Sequence, residues 1–176
     1  YVQEGLGKNK GYEYARTQNP TRAALEENVN VLEGGAGAKA FASGMAATTA
    51  ISTLVKMGDH VVCSNMTYGG TYRYYTKILA RYGVEFSFVD TANPGEVERA
   101  IRPQTKMLHL ESPTNPTMQL FDIALLSELA HRHGALGPVT NPFASPYRQN
   151  PLAPGAGTLL PPPSNFRNRP SDPHPP

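Results

Sequence analysis

Residues 60–90 read HVVCSNMTYGGTYRYYTKILARYGVEFSFVD, and this stretch decides the fold. It begins with a short apolar run, HVVCSN, which is typical of a buried strand. The residues that follow place Tyr75, Ile78 and Leu79 at the spacing of one helical face. The segment VEFSFVD then alternates apolar and polar side chains, as a second strand does. Two strands joined by a helix predict a parallel arrangement with the helix packed on the sheet.

The same alternation extends outward from this segment in both directions. An α/β fold follows, with a mostly parallel sheet and helices on both of its faces. A helix is predicted after Asn19, which is a good N-cap, with Pro20 at its first position. The strand patterns cover residues 38–43, 60–65, 84–90 and 105–112, and the helical patterns cover 19–35, 44–58, 70–83, 93–103 and 122–134.

Ligands of parallel sheets bind at the carboxyl ends of the strands, and four segments follow predicted strands there. We therefore expect a site among SGMAAT, SNMTYGGT, VDTANPGE and ESPTNPT. In the first of these, Gly44 makes a turn into a helix, so the N–H groups of Gly44 and Met45 can bind an anion such as phosphate. A plain turn capped by Ser43 is the structural alternative.

Three other stretches contain residue types that suit a phosphorylated, planar ligand. Tyr68 follows a strand and can lie flat on a ring, or it is a surface tyrosine in a turn. Tyr14 and Arg16 lie two residues apart, so in an extended segment they face one way and can clamp phosphate. Asn115 lies between two prolines in ESPTNPT, so its amide is held for a hydrogen bond. A solvated loop is the alternative for Tyr14 and Arg16, and a structural turn is the alternative for Asn115.

Composition excludes several function classes. The chain is 39% apolar and 17% charged with a formal charge of +2, which argues against binding of nucleic acid or a membrane surface. No run of 18 apolar residues occurs, so no transmembrane helix is expected. Cys63 is the one cysteine, which excludes an internal disulfide. No metal site is predicted, because His109 lies within a strand and His131 and His133 point apart on a helix.

Taken together, YEYARTQNPTR, AFASGMAAT, YGGTYRYY, ESPTNPT and FASPY closely resemble the trans-sulfuration, or Cys/Met metabolism, family of pyridoxal-phosphate (PLP) enzymes. The resemblance covers about residues 10–160. It implies part of the large domain of a fold-type-I PLP enzyme. It also implies γ-elimination or γ-replacement on cystathionine-type substrates, like a cystathionine gamma-lyase. Cystathionine gamma-synthase and methionine gamma-lyase activities stay open as alternatives.

The resemblance also implies roles for individual residues. Tyr14 and Arg16 match the pair that binds the cofactor phosphate of the neighbouring subunit. Gly44 and Met45 match the amides that hold the phosphate within the subunit. Tyr68 matches the aromatic residue that stacks on the pyridine ring and helps in proton transfer.

Further positions of the family pattern fall on polar residues of this chain. Asn115 matches the residue that bonds the ring hydroxyl, and Ser164 matches a hydroxyl that binds phosphate. Arg73 and Glu111 match positions near the site whose roles are less certain. A site shared between subunits implies a homo-oligomer, with a dimer of dimers (a homotetramer) expected.

The last 39 residues depart from the family pattern. They hold 12 of the 17 prolines, and a triple proline falls where a buried strand is due. The family aspartate that pairs with the pyridinium nitrogen falls on Thr140. The Schiff-base lysine falls on Asn165, whose amide cannot supply the amine. A natural pseudoenzyme and a damaged sequence both explain this, as does a catalytically dead α/β binding or subunit-interaction module.

Three segments are therefore expected. Residues 1–19 contribute to the neighbouring subunit's site, residues 20–137 form part of the PLP-binding domain, and residues 138–176 are a degraded, proline-rich continuation of it. The chain begins without methionine or a signal-peptide pattern, so we expect a fragment of a cytoplasmic protein.

Overall fold

The computed structural model describes residues 3–5 and 8–161. Ser164, which the resemblance predicts to bind phosphate, and Asn165, which falls at the position of the Schiff-base lysine, lie outside these residues. The chain divides into two compact units, Tyr1–Phe41 and Ala42–Pro176. No described helix is both long enough and apolar enough to cross a bilayer.

The first unit contains a small antiparallel pair and one long helix. Strands β1 (Gln3–Gly5) and β2 (Lys8–Asn9) pair with each other, and α1 spans Pro20–Glu33. The Asn19 side chain accepts hydrogen bonds from the first turn of α1, which satisfies donors that have no partner within the helix. Gly34 ends α1 with φ of 69°, a left-handed conformation that glycine adopts without strain. The prediction of this helix is confirmed.

The strand predicted over residues 38–43 is wrong. These residues form no strand, and Phe41 is 50% exposed. The N–H of Ala40 donates to Glu26 Oε1 at 2.9 Å instead of to a neighbouring strand. This hydrogen bond lowers the pKa of Glu26. A short apolar run is therefore not sufficient to predict a strand here. The Glu26 carboxylate accepts the hydrogen bond from the Ala40 N–H that a partner strand would otherwise accept.

The second unit is built on a five-stranded parallel sheet. Its strand order is β4-β3-β5-β6-β7, and every neighbouring pair is parallel. The strands are β3 (His60–Ser64), β4 (Glu85–Val89), β5 (Thr105–Glu111), β6 (Pro138–Thr140) and β7 (Thr158–Leu160). The helices are α2 (Gly44–Ser52), α3 (Gly69–Lys77), α4 (Pro94–Ala100) and α5 (Ile123–Arg132), with a 3-10 turn at Leu79–Tyr82.

Helices cover both faces of this sheet, as the sequence predicts. Alternate residues of β3 and β5 point to opposite faces and enter two separate cores. One core joins Val62, Leu108 and Leu110 to α4 and α5 through Val97, Ile123, Leu126 and Leu129. The other joins Val61, Cys63 and Met107 to Tyr75 of α3. The α/β fold class is therefore confirmed.

The sheet continues into the proline-rich end of the chain. Pro138 is the first residue of β6, where a missing N–H costs little. Strand β7 pairs with β6 but ends at Leu160, directly before Pro161. Since proline has no N–H to donate, the triple proline begins where the ladder stops.

Two buried histidines lie among apolar residues in the central strands β3 and β5. His60 bonds Thr105 Oγ1 at 2.8 Å and Ser87 Oγ at 2.9 Å. His109 bonds the Tyr75 hydroxyl at 2.7 Å and Thr140 Oγ1 at 3.1 Å. Both rings are at most 1% exposed, so each ring nitrogen needs and has a partner.

The burial of His109 predicts how stability depends on pH. Burial lowers the pKa of His109 to about 4, from an ordinary value of 6.5. Between these pH values the unfolded chain binds a proton that the folded chain does not. The free energy of unfolding therefore falls as the pH falls. From pH 7 to pH 5, this residue alone removes about 2 kcal/mol of stability.

The measurement is chemical denaturation at several pH values between 7 and 5, with His109→Gln as the matched variant. Burial raises the pKa of Glu111, which opposes the trend, and lowers that of His60, which adds to it. Both groups are present in both proteins, so their effects cancel in the comparison. We expect the unmodified chain to lose about 2 kcal/mol more than the variant. Equal losses would contradict the assignment.

Candidate active site

The beginnings of α2 and α3 meet at the carboxyl edge of the sheet. Thr71 Oγ1 lies 3.8 Å from Met45 Sδ. The Tyr68 ring lies over Gly70, where an added β-carbon would come within 2.4 Å of Tyr68 Cε1 and 3.2 Å of Met45 Sδ. Residue 70 must therefore lack a side chain for Tyr68 and Met45 to come this close.

The first turn of α2 presents free backbone donors. Ser43 Oγ accepts from the N–H of Ala46 at 3.1 Å, so the cap engages the third residue of the helix. Within the described part of the chain, no acceptor faces the N–H groups of Gly44 and Met45. A β-carbon built on Gly44 would meet no described atom within 4 Å. This helix end, with its partial positive charge, can bind an anion.

Tyr68 is the N-cap residue of α3, and its ring is available to a ligand. Its side chain forms no capping hydrogen bond, and the residue is 50% exposed. Its N–H donates to Glu111 Oε2 at 2.9 Å, which fixes the backbone beneath the ring. Arg73 folds back along α3 until its guanidinium lies beside Gly69, with Nη1 3.4 Å from a β-carbon built there. The start of α3 therefore carries an aromatic face and a positive charge.

Glu111 is the buried centre of this edge. Its carboxylate accepts from Thr67 Oγ1 at 3.3 Å and from the N–H of Asn115 at 3.3 Å, in addition to Tyr68. Burial raises its pKa, while these hydrogen bonds act in the opposite direction. One carboxylate thus connects the loop that precedes α3 to the loop that follows β5. The sequence marked Glu111 as near the site, and the structure gives it this role in positioning the loops.

Asn115 lies at the tip of the second loop and is exposed. The loop is closed beneath it by Thr114, whose Oγ1 bonds Thr117 Oγ1 at 2.7 Å and accepts from the N–H of Gln119 at 2.9 Å. The N–H of Asn115 donates to Glu111, so this loop is constrained by hydrogen bonds as well as by its two prolines. The Asn115 amide is consequently presented on a rigid support.

Thr140 ends β6 in register with Glu111, at the same edge. Its Oγ1 bonds His109 Nε2 at 3.1 Å. The neighbouring position of the sheet therefore carries a neutral hydroxyl, at the residue where the resemblance predicts an aspartate. Sequence reasoning missed the contact, since His109 was considered only as a metal ligand and Tyr75 only as a position on one helical face. The available signal was a histidine on the face of β5 that also carries Met107 and Glu111.

Tyr14 and Arg16 belong to the first unit, and their arrangement differs from the expectation. The segment is not extended, because the N–H groups of Thr17 and Gln18 donate to Tyr14 O and close a turn. The Arg16 guanidinium lies 5.0 Å from the centroid of the Tyr14 ring, in a cation–π contact. Both side chains are at the surface. The two residues are thus paired by stacking and not by a shared strand face.

Comparison with known proteins gives a consistent family. The family model described as Cys/Met metabolism PLP-dependent enzyme matches residues 1–160. The chain is 51% identical over 160 residues to a cystathionine gamma-lyase of Bacillus subtilis (strain 168), which covers 91% of this chain and 42% of that protein. A probable cystathionine gamma-synthase of Herpetosiphon aurantiacus is 45% identical, with 91% and 50% covered.

A solved structure agrees with these sequence relatives. The crystal structure of cystathionine gamma-lyase from Lactobacillus plantarum complexed with L-serine superposes with a TM-score of 0.88 at 44% identity. The match covers 93% of this chain and 43% of that one. The chain thus spans half or less of the length of the first relatives that it matches.

PLP is the cofactor of this family, and the described residues can be tested against it. The open amides of Gly44 and Met45 fit a phosphate group, and the exposed face of Tyr68 fits a planar ring. Thr140 is neutral and offers no counter-charge to a protonated ring nitrogen. The groups that would contact the phosphate and the face of the ring therefore fit the cofactor, whereas Thr140 does not fit a protonated ring nitrogen. On the family match and these identities, the chain belongs to the Cys/Met metabolism family of PLP-dependent enzymes.

Proposed function

We propose that this chain holds PLP in a protein that acts on sulfur amino acids, by γ-elimination or γ-replacement on cystathionine-type substrates. One observation carries the proposal: free amides at the start of α2 and the exposed Tyr68 ring lie together at the carboxyl edge of the sheet. Relatives named cystathionine gamma-lyase, gamma-synthase and beta-lyase support the substrate class. Gamma-synthase and methionine gamma-lyase activities are the alternatives.

Bound PLP supplies the electron-withdrawing ring that this chemistry requires. The N–H groups of Gly44 and Met45 bind its phosphate, helped by the dipole of α2. Tyr68 covers one face of the ring, and its hydroxyl oxygen holds or passes a proton. The Asn115 amide would hold the ring oxygen by a hydrogen bond. Ser164 is proposed as a further phosphate contact.

The site is proposed to be completed by a second copy of the chain. In this proposal, Tyr14 and Arg16 bind the phosphate of the neighbouring subunit, within a dimer of dimers in the cytoplasm. The stacking of Arg16 on Tyr14 supports this role. The exposed Tyr14 ring holds the Arg16 guanidinium at the surface, and the N–H donors of the guanidinium stay available to an anion.

A second function is favoured by two residues. Thr140 cannot balance a positive ring, and Asn165 cannot form the covalent bond to the cofactor. Both changes are consistent with a module that binds PLP without turning substrate over. In this alternative, the contacts of Gly44, Met45 and Tyr68 remain and the catalytic groups are lost.

Replacement of Gly44 tests the proposed phosphate contact directly. Gly44→Pro removes one N–H donor at the first position of α2, where proline is tolerated, and Ser43 has the extended backbone that precedes proline. Loss of a hydrogen bond to a charged group is expected to weaken PLP binding about 10-fold or more. Equilibrium dialysis against PLP measures the change.

Gly44→Ala is the matched control, because it keeps the N–H and its β-carbon meets no atom within 4 Å. Its affinity for PLP should change by less than about twofold, since the donor that binds phosphate remains. If the proline and alanine variants bind PLP equally well, the helix terminus does not hold the phosphate.

The missing lysine predicts that PLP binds without a defined covalent link. After incubation with PLP and reduction by borohydride, peptide mapping should find at most scattered, substoichiometric modification of lysines such as Lys56, Lys77 and Lys106. The reason is that Asn165 has no amine. A single stoichiometric adduct on one lysine would contradict this prediction and would identify the residue that replaces the missing one.

A further inference from the structure

Three side chains form a continuous hydrogen-bonded line from α3 to the edge of the sheet. Tyr75 Oη lies 2.7 Å from His109 Nδ1, and His109 Nε2 lies 3.1 Å from Thr140 Oγ1. Tyr75 is 1% exposed and His109 is fully buried, whereas Thr140 is half-buried at the end of β6. The line therefore starts in the core and ends at a residue that is only half-buried.

The protonation states of Tyr75 and His109 determine the direction of the line, that is, which group donates and which accepts in each of its two hydrogen bonds. Burial lowers the pKa of His109 to about 4, so the ring is neutral near pH 7, with one nitrogen as donor and the other as acceptor. Burial raises the pKa of the Tyr75 hydroxyl, so that group keeps its proton. Each of the three groups consequently has one hydrogen that it can donate.

Two directions are possible, and they differ in what they leave unsatisfied. If Tyr75 donates to Nδ1, the hydrogen on Nε2 is donated to Thr140 and every buried donor has an acceptor. If the direction is reversed, the buried Tyr75 O–H has no acceptor among the residues that the structure describes. Thr140 gains nothing from the reversal, since its hydroxyl can reach solvent. An unsatisfied buried donor is costly enough to hold the reversed tautomer below about one tenth of the population.

We propose that Tyr75 and His109 are positioning residues that make Thr140 a hydrogen-bond donor at the carboxyl edge of the sheet. Because Thr140 Oγ1 already accepts from His109, its own hydrogen is directed to a further partner. A group that receives this hydrogen must then be an acceptor. A carboxylate at this position would accept instead, so the hydroxyl inverts the polarity of the contact.

The ligand class follows from this polarity, and this step rests on the proposed function. For a bound pyridine ring whose nitrogen reaches Thr140, the acceptor is an unprotonated ring nitrogen. The position then favours a neutral pyridine over a pyridinium ion. A substitution of Thr140 by aspartate reverses the preference, because a carboxylate stabilises the protonated nitrogen.

The direction of the line is tested by nitrogen NMR of the full 176-residue chain with ¹⁵N-labelled histidine at pH 7. The His109 resonances are those that disappear in His109→Gln. We expect the acceptor signal on Nδ1 and the N–H signal on Nε2, at about ten to one or more. A predominant hydrogen on Nδ1 would overturn the proposal.

Two tyrosine variants separate this role from simple packing. Tyr75→Phe removes the hydroxyl that donates to His109, so its tautomers should become mixed. Tyr74→Phe is the control, because the Tyr74 hydroxyl bonds Ser52 Oγ at 2.8 Å and not the histidine. An unchanged tautomer in Tyr75→Phe would overturn the role of Tyr75. The spectrum of the unmodified chain decides the direction even if a variant does not fold.

A separate measurement tests the proposed preference for a neutral pyridine ring. PLP labelled with ¹⁵N in the ring is added to the unmodified chain and to Thr140→Asp, and the protonation of the ring nitrogen is read from its shift. An unprotonated nitrogen in the first and a protonated one in the second are expected. A protonated nitrogen in both would overturn the ligand class. Absence of PLP binding would overturn it together with the proposed function, while the tautomer still decides the direction of the line.

Discussion

The buried carboxylate of Glu111 is the constraint on which the arrangement of the site depends. A carboxylate that is 1% exposed must be surrounded by donors, or the cost of its burial is not offset. Glu111 obtains two of them from the backbones of Tyr68 and Asn115, which lie on different loops. Satisfying one buried group therefore brings together the two residues that are proposed to contact the ring.

At the starts of α2 and α3, the electrostatics favour an anion. The amides of α2 and the Arg73 side chain add positive potential where two helices begin. Thr140, at the end of the central strands, adds a dipole but no charge. A phosphorylated ligand is thus supported at its phosphate end, whereas nothing at Thr140 stabilises positive charge on its ring. The proposed non-covalent, neutral-ring mode of binding is the result of both features.

The predictability of the fold and of the site differs for a physical reason. Periodicity reports which face of a segment is buried, so the α/β order, the parallel sheet and helix α1 could be predicted from the sequence. The strand at residues 38–43 could not be excluded in this way, because a strand exists only where a partner strand supplies hydrogen bonds. In the structure a glutamate side chain takes that place, through Ala40.

By itself, the sequence determined that SNMTYGGT, VDTANPGE and ESPTNPT stand at the carboxyl ends of strands, because glycine turns and apolar periods are local properties. It also determined that residue 165 carries no amine. Only the tertiary structure decided which polar groups become partners. Thr67 and Glu111 are 44 residues apart, and Tyr75 and His109 are 34 apart. No local pattern encodes such contacts, since they exist only after the parallel strands have aligned and placed each side chain on a particular face.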